Sequence, residues 1–176
     1  MEIYPGLDAI PPDLGYCVIT IGMFDGLHRG HRRIIRLAHD RARELGIRCV
    51  VVTFDRHPLE VLCPDDHPRL LTTSAQKLRL LEEMDVDIVL MVHFDEEFAS
   101  ITAYDFLHHI LLERLHMREV VLGENFRFGR HGEGDVDYLT RYADELGFKV
   151  HPVPLVKEDG EPVSSTLIRS LIEKGE

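Results

Sequence analysis

The apolar residues of this chain gather into short runs, separated by stretches in which they recur at helical spacing. Five runs stand out: "YCVITIG" (Tyr16–Gly22), "IRCVVVTF" (Ile47–Phe54), "DIVLMVHF" (Asp87–Phe94), "REVVLG" (Arg118–Gly123) and "FKVHPVPLV" (Phe148–Val156). Their β-branched content predicts strands, and positions that stay apolar in succession predict a sheet covered on both faces. Between them, Ile34, Ile35, Ala38, Ala42 and Leu45 fall on one helical face that ends at Gly46. Ser74–Met84 is a second helix, with Leu78 and Leu81 inward. Thr102 and Asp105 resemble a capping box opening a helix that carries Phe106, Ile110, Leu111 and Leu115. Asp135–Leu146 is a further helix with Tyr138, Leu139 and Tyr142, closed by Gly147. After a turn at Asp159-Gly160, Ser164 or Ser165 caps a last helix bearing Leu167, Ile168, Leu171 and Ile172. A Pro-rich loop runs through Pro58, Pro64 and Pro68, and "GRHGEG" (Gly129–Gly134) reads as a mobile loop.

Strands alternating with helices predict an α/β fold: a Rossmann-like, doubly wound parallel sheet of about five strands with helices on both faces. A length of 176 residues suits one domain, so residues 1–176 are expected to form a single unit. In such folds ligands gather beyond the carboxyl ends of the strands. The unusual stretches of this sequence lie there, after Ile21, after Phe54, after Leu122 and before the last helix.

Charge narrows the functional classes. The net charge of -11 argues against a general nucleic-acid or anionic-membrane binder, which needs a broad cationic surface. Any polyanion must be held locally. Cys17, Cys49 and Cys63 are isolated and form no C-x-x-C, so neither a disulfide framework nor a cysteine zinc site is indicated, and a reducing cytoplasm is the expected compartment. The opening "MEIYPGLDAIPPDLG" lacks a basic stretch followed by an apolar one, and no long apolar run occurs, so neither signal peptide nor membrane span is expected.

The stretch "ITIGMFDGLHRGHRRII" (Ile19–Ile35) places His28 and His31 where a strand hands over to a helix. Free backbone N–H groups and the positive end of the helix dipole favour an anion there, and Gly26 and Gly30 let backbone approach it. Neither G-x-x-x-x-G-K-[ST] nor G-x-G-x-x-G is present. Three readings stay open on these residues alone: half of a metal site, polar residues in a first helical turn, or an imidazole-and-backbone grip on phosphate. Zinc would need a third ligand, and no H-E-x-x-H or cysteine partner is near.

"GMFDGLHRGH" is similar to the H-x-G-H signature of the nucleotidyltransferase superfamily. Together with "VTFDRHPLEVL" (Val52–Leu62), "VLGENFRFGRHGEGDV" (Val121–Val136) and "VSSTLIRSLIEKGE" (Val163–Glu176), in that order, it resembles the FMN adenylyltransferase module of bacterial bifunctional FAD synthetases over nearly the whole chain. The resemblance implies transfer of AMP from Mg-ATP to FMN, giving FAD and pyrophosphate. It assigns His28 and His31 to the ATP phosphates, in a pocket shaped by Gly22, Phe24, Asp25, Gly26 and Gly30. Ser164, Ser165, Thr166 and Arg169 become a second phosphate-contacting segment. Asn125, Arg127 and Phe128 lie on the loop meeting the reacting phosphates and the flavin, with Asn125 a candidate Mg²⁺ ligand. Phe54, His57, Pro58 and Leu62 border the flavin. His28, His31, Asn125 and Arg169 are thereby the candidate catalytic residues.

Simpler structural readings exist for several of these. Ser164 and Ser165 suit helix capping, Arg169 suits an ion pair, and one of Phe126 and Phe128 suits the core. Two positions depart from the family pattern: Arg56 stands where proline is common, and Asn125 where an acidic residue is common. The bifunctional enzymes continue into a β-barrel riboflavin kinase; these 176 residues do not include it, so no kinase activity is expected of them. Another H-x-G-H transferase with a different phosphorylated acceptor, and a non-catalytic nucleotide or flavin binder, are the competing functions.

Overall fold

The computed structural model describes residues 1–175. Its strands are β1 (Glu2–Tyr4), β2 (Cys17–Ile21), β3 (Arg48–Phe54), β4 (Ile88–Val92), β5 (Met117–Gly123), β6 (Arg127–Phe128), β7 (Gly134–Asp135), β8 (Lys149–Val153), β9 (Lys157–Glu158) and β10 (Glu161–Pro162). Its α-helices are α1 (Arg29–Leu45), α2 (Pro58–Leu62), α3 (Ser74–Glu82), α4 (Glu96–Ala99), α5 (Ala103–Asp105), α6 (Val136–Leu146) and α7 (Ser165–Lys174). α5 continues directly into a π-wound segment, Phe106–Arg114, so these two form the helix that Thr102 caps.

Six strands form the central sheet in the order β1-β4-β3-β2-β5-β8, every neighbouring pair parallel. From β2 the chain moves outward through β3 and β4, then returns to lay β5 on the other side of β2. That reversal opens a crevice at the carboxyl ends of β2 and β5. The pleat divides the strands between two faces. Ile19, Ile21, Val50 and Val52 pack with Leu107, Leu111 and Leu139 on one side, and Val18, Val51, Cys49 and Val89 pack towards α1 and α3 on the other. Near-continuous apolar strands follow from this double coverage.

Three details go beyond the sequence reading. A sixth strand, β1, pairs Glu2, Ile3 and Tyr4 with Ile88, Val89 and Leu90. Three residues, of which the first two are exposed, carry too little apolar pattern to announce a strand at the sheet's edge. Within the Pro-rich loop, α2 begins at Pro58, whose missing N–H and fixed φ suit a first helical position. His57 caps it, its Nδ1 accepting from the Leu59 N–H, while the Glu60 carboxylate accepts from the His57 N–H. Finally, the Gly129–Gly134 loop carries two hydrogen bonds to the segment before α5: the Arg130 N–H donates to Ile101 O at 2.7 Å, and the Glu133 carboxylate accepts from the Ala103 N–H at 2.7 Å.

Candidate active site

Two adjoining chambers open at the carboxyl ends of the strands, sharing Ile21 and Phe126 as walls. The smaller, about 210 Å³, is the more polar of the two, with Ile34, Val153 and Val163 among its apolar walls. It is lined by Gly22, Phe24, His28, Gly30 and His31 from the β2–α1 connection, Gly123 and Asn125 after β5, and Ser164 and Ser165 at the start of α7. The larger, about 500 Å³, is apolar and lined by Phe54, Pro58, Leu62, Phe94, Phe98, Phe106 and Phe128, with Arg127 and His131 at its edge.

The polar chamber follows from local chain geometry. Phe24 takes a left-handed conformation (φ 49°) with its ring buried, and Gly26 follows at φ 75°. A Cβ on Gly26 would meet Leu71 Cδ1 at 2.9 Å, so only glycine fits this turn. α1 then starts at Arg29 with His28 as its cap, Nδ1 accepting from the His31 N–H at 3.4 Å. An accepting Nδ1 leaves the proton of neutral His28 on Nε2, free to donate. The two imidazoles stack with centroids 3.6 Å apart. Gly30 permits this packing, since a Cβ there would sit 3.1 Å from His28 Cε1.

Burial lowers the pKa of both rings, that of His31 to about 3, and for His31 the neighbouring His28 adds to the effect. The pair is therefore neutral near pH 7. The buried Nδ1 of His31 has no hydrogen-bond partner. An unsatisfied buried polar atom costs free energy, and this one lies in the first turn of α1.

Asp25 holds this loop in place. It is 1% exposed, and its carboxylate accepts from the Leu71 and Thr72 N–H groups at 2.9–3.0 Å, from the Thr72 hydroxyl at 3.2 Å and from Arg169 at 2.6 Å. Burial alone would raise its pKa, but the two backbone donors, the Arg169 guanidinium and the Thr72 hydroxyl outweigh it, and the net pKa falls. Arg169 also donates to Arg69 O at 2.7 Å, and the Ser165 hydroxyl donates to Asp25 O at 2.9 Å. Ser164 is the α7 cap, accepting from the Leu167 N–H.

The fold thus brings together most of the sequence-derived candidates, but not all in the role assigned. His28, His31, Gly22, Phe24, Gly30, Asn125, Ser164 and Ser165 face the polar chamber, and Phe54, Pro58, Leu62, Arg127 and Phe128 face the apolar one. Asp25, Gly26, Thr166 and Arg169 line neither, and His57 caps α2 instead of bordering the flavin-sized chamber. Arg169 is engaged by Asp25, as the ion-pair reading has it. Phe128 is buried in the core while Phe126, stacked on it at 5.8 Å, stands between the chambers.

Sequence reasoning missed Phe94, Phe98 and Phe106, which complete the aromatic lining, and Lys77, a lysine buried to 2%. The signal for Lys77 was its place four residues before the inward Leu81, on the same helical face. Among the described residues no group of three or more His, Cys, Asp and Glu could hold a metal. Asp25, in the connection between β2 and α1, has its carboxylate engaged by Leu71, Thr72 and Arg169. Asn125, exposed at the polar chamber's rim, offers one amide oxygen, which fits an ion that arrives on phosphates.

Residues 10–167 match the family model for FAD synthetase. The chain is 38% identical over 156 residues to the bifunctional riboflavin kinase/FMN adenylyltransferase of Escherichia coli (strain K12), covering 89% of this chain and 50% of that protein. It is 39% identical to a putative bifunctional riboflavin kinase/FMN adenylyltransferase of Geobacillus thermodenitrificans (strain NG80-2), covering 90% of this chain and 84% of the relative. A crystal structure of a Streptococcus pneumoniae protein called a macrolide-efflux protein superposes with a TM-score of 0.84 at 29% identity, over 97% of this chain and 56% of that one. No helix among the described residues is long and apolar enough to cross a membrane. The chain spans about half the length of several of the curated relatives it matches. With the family model covering the sheet apart from β1, both chambers and the start of α7, this chain belongs to the FAD synthetase family.

Proposed function

We propose that residues 1–176 form an adenylyltransferase domain that joins the AMP moiety of ATP to FMN, releasing pyrophosphate and forming FAD. The observation that carries the reading is the pairing of chambers. A polar pocket built from a helix N-terminus, two neutral imidazoles and serine hydroxyls suits a nucleotide's phosphates, and an adjoining aromatic pocket suits a flat flavin ring. The wall they share, Phe126 and Ile21, is where the FMN phosphate and the ATP α-phosphate would meet.

The reaction needs little from the protein beyond placement and charge stabilisation. A phosphate oxygen of FMN attacks the α-phosphorus of ATP, the bond from that phosphorus to the β-bridging oxygen breaks, and pyrophosphate leaves with the electron pair. No covalent enzyme intermediate is needed, because FMN phosphate is already ionised at pH 7. His28, donating from Nε2, and His31, stacked beside it in the chamber wall, hydrogen-bond the phosphates without adding a formal charge to a buried site. Ser164 and the first amides of α1 and α7 extend that donor set, while Ser165, whose hydroxyl donates to Asp25 O, ties α7 to the loop. Mg²⁺, held by ATP phosphates with Asn125 Oδ1 as one protein ligand, would supply the positive charge that neutral imidazoles do not. Asp25 and Arg169 act by holding the loop and α7 together. The free cysteines suit a reducing cytoplasm.

Incubating the purified chain with ATP, Mg²⁺ and either FMN or riboflavin, followed by chromatography, tests this. FAD from FMN and no phosphorylated product from riboflavin is the expected result. Nucleotidyl transfer to a different phosphorylated acceptor, with no FAD, would overturn the choice of FMN. Binding of both ligands with no turnover would overturn the enzyme reading.

A further inference from the structure

Lys77 lies on the inward face of α3, 2% exposed, outside both chambers. No carboxylate of the described residues lies within 4.0 Å of its ammonium. The nitrogen instead donates to Phe54 O at 3.0 Å and to the Thr53 hydroxyl at 3.2 Å, and that hydroxyl donates to Met23 O at 3.1 Å. Burying a cation on neutral acceptors is costly, and an apolar side chain of similar volume would pack the same space at less cost. Stability therefore does not account for a lysine here.

Its contacts do suggest a reason. Phe54 ends β3 and forms a wall of the aromatic chamber, while Met23 lies in sequence between Gly22 and Phe24, which line the polar chamber. One ammonium thus ties the backbone under the flavin-sized pocket to the backbone under the phosphate pocket. Titratable groups around it are Asp25 in the loop after β2, Asp55 at the end of β3 and His31 on α1. Burial lowers the Lys77 pKa to about 8, and both aspartates work to keep the charge on.

We propose that Lys77 is a positioning residue for adenylyl transfer, fixing the end of β3 against the loop after β2 and so setting the register between the two bound substrates. The inference rests on the adenylyl-transfer reading above. It acts through backbone carbonyls and Thr53, and it does not touch the reacting atoms. A shift of about 1 Å between reactants can cost on the order of a hundredfold in rate without weakening either binding event.

Lys77→Met, Thr53→Val and Thr53→Ser, assayed with FMN and Mg-ATP and corrected for the folded fraction by circular dichroism, test it. Lys77→Met and Thr53→Val are expected to lower kcat about tenfold or more while KM for ATP and FMN moves less than about threefold. Thr53→Ser, which restores the bridging hydroxyl, is expected to recover most of the loss. If Lys77→Met does not fold, the Thr53 pair decides alone. Folded Thr53→Val with the parent's kcat, or a loss that Thr53→Ser shares in full, overturns the inference and leaves the activity intact. A parent chain that forms no FAD overturns both.

Discussion

The two chambers lie side by side at the same end of one sheet, yet they are built by opposite means. The polar chamber is made largely of backbone geometry: a strand end, a left-handed residue, glycines packed closely under Phe24 and His28, and two helix starts. Its charged neighbours, Asp25 and Arg169, are turned upon each other and stiffen the loop. The aromatic chamber is made of side chains from scattered elements, Phe54, Phe94, Phe98 and Phe106 meeting edge to face at 5.5–6.0 Å. Polar recognition here is pre-set by the main chain, and apolar recognition by packing at a distance in sequence. The chambers should therefore fail separately.

The largest separation is expected at the imidazoles. His28→Ala and His31→Ala should each lower kcat/KM for ATP by about a hundredfold to a thousandfold, the scale of losing a donor to developing charge, while FMN affinity measured by flavin fluorescence stays within about twofold. A parallel loss of FMN affinity would show that the chambers are one site. Asp25→Ala should act next, through stability. It leaves the 14%-exposed Arg169 side chain and two backbone N–H groups without their acceptor, a cost of about 3 kcal/mol in chemical denaturation, and it should weaken ATP binding before FMN binding.

The pH dependence of stability sharpens the contrast, because the largest histidine shift, that of His31, belongs to the polar chamber, while His57 outside it, also lowered by burial, adds a loss of the same sign. The folded pKa of His31 is about 3 against 6.5 unfolded, so the unfolded chain takes up a proton that the native chain refuses. Stability present above pH 6.5 is thus lost as pH falls from 6.5 towards 3, by roughly 2 kcal/mol at pH 5. The lowered carboxylates, Asp25, Asp55 and Glu119, add their own loss only at more acidic pH, within and below the usual carboxylate range. Urea titrations at pH 7 and pH 5 should show the difference, and His31→Gln should flatten it.

Phe98→Ala should then raise KM for FMN about tenfold by removing a ring that three other phenylalanines contact, with KM for ATP unchanged. Smallest of all, Arg29→Ala removes an exposed pair with Glu158 and should change stability by less than about 0.5 kcal/mol. A larger effect there would mean that the hairpin of β9 and β10 contributes to holding the α1 start.

Much of this molecule is fixed by its local sequence. The covered parallel sheet was legible because every buried strand is a run of apolar residues, and α1, α3, α6 and α7 because their caps and apolar spacing are local signals. The β2–α1 connection was legible as a strand-to-helix turn for the same reason: a strand end, glycines and two histidines fall within ten residues. What required the tertiary structure depends on distance. Arg169 meets Asp25 across 144 residues, and the phenylalanines of the second chamber come from the end of β3, the crossover between β4 and β5, and the stretch after β5. His57 serves as a cap and Lys77 as a buried tie only because particular neighbours arrive from elsewhere in the chain. Periodicity records which face of an element is buried, but not what lies opposite; that partner is chosen by the packing of the whole sheet.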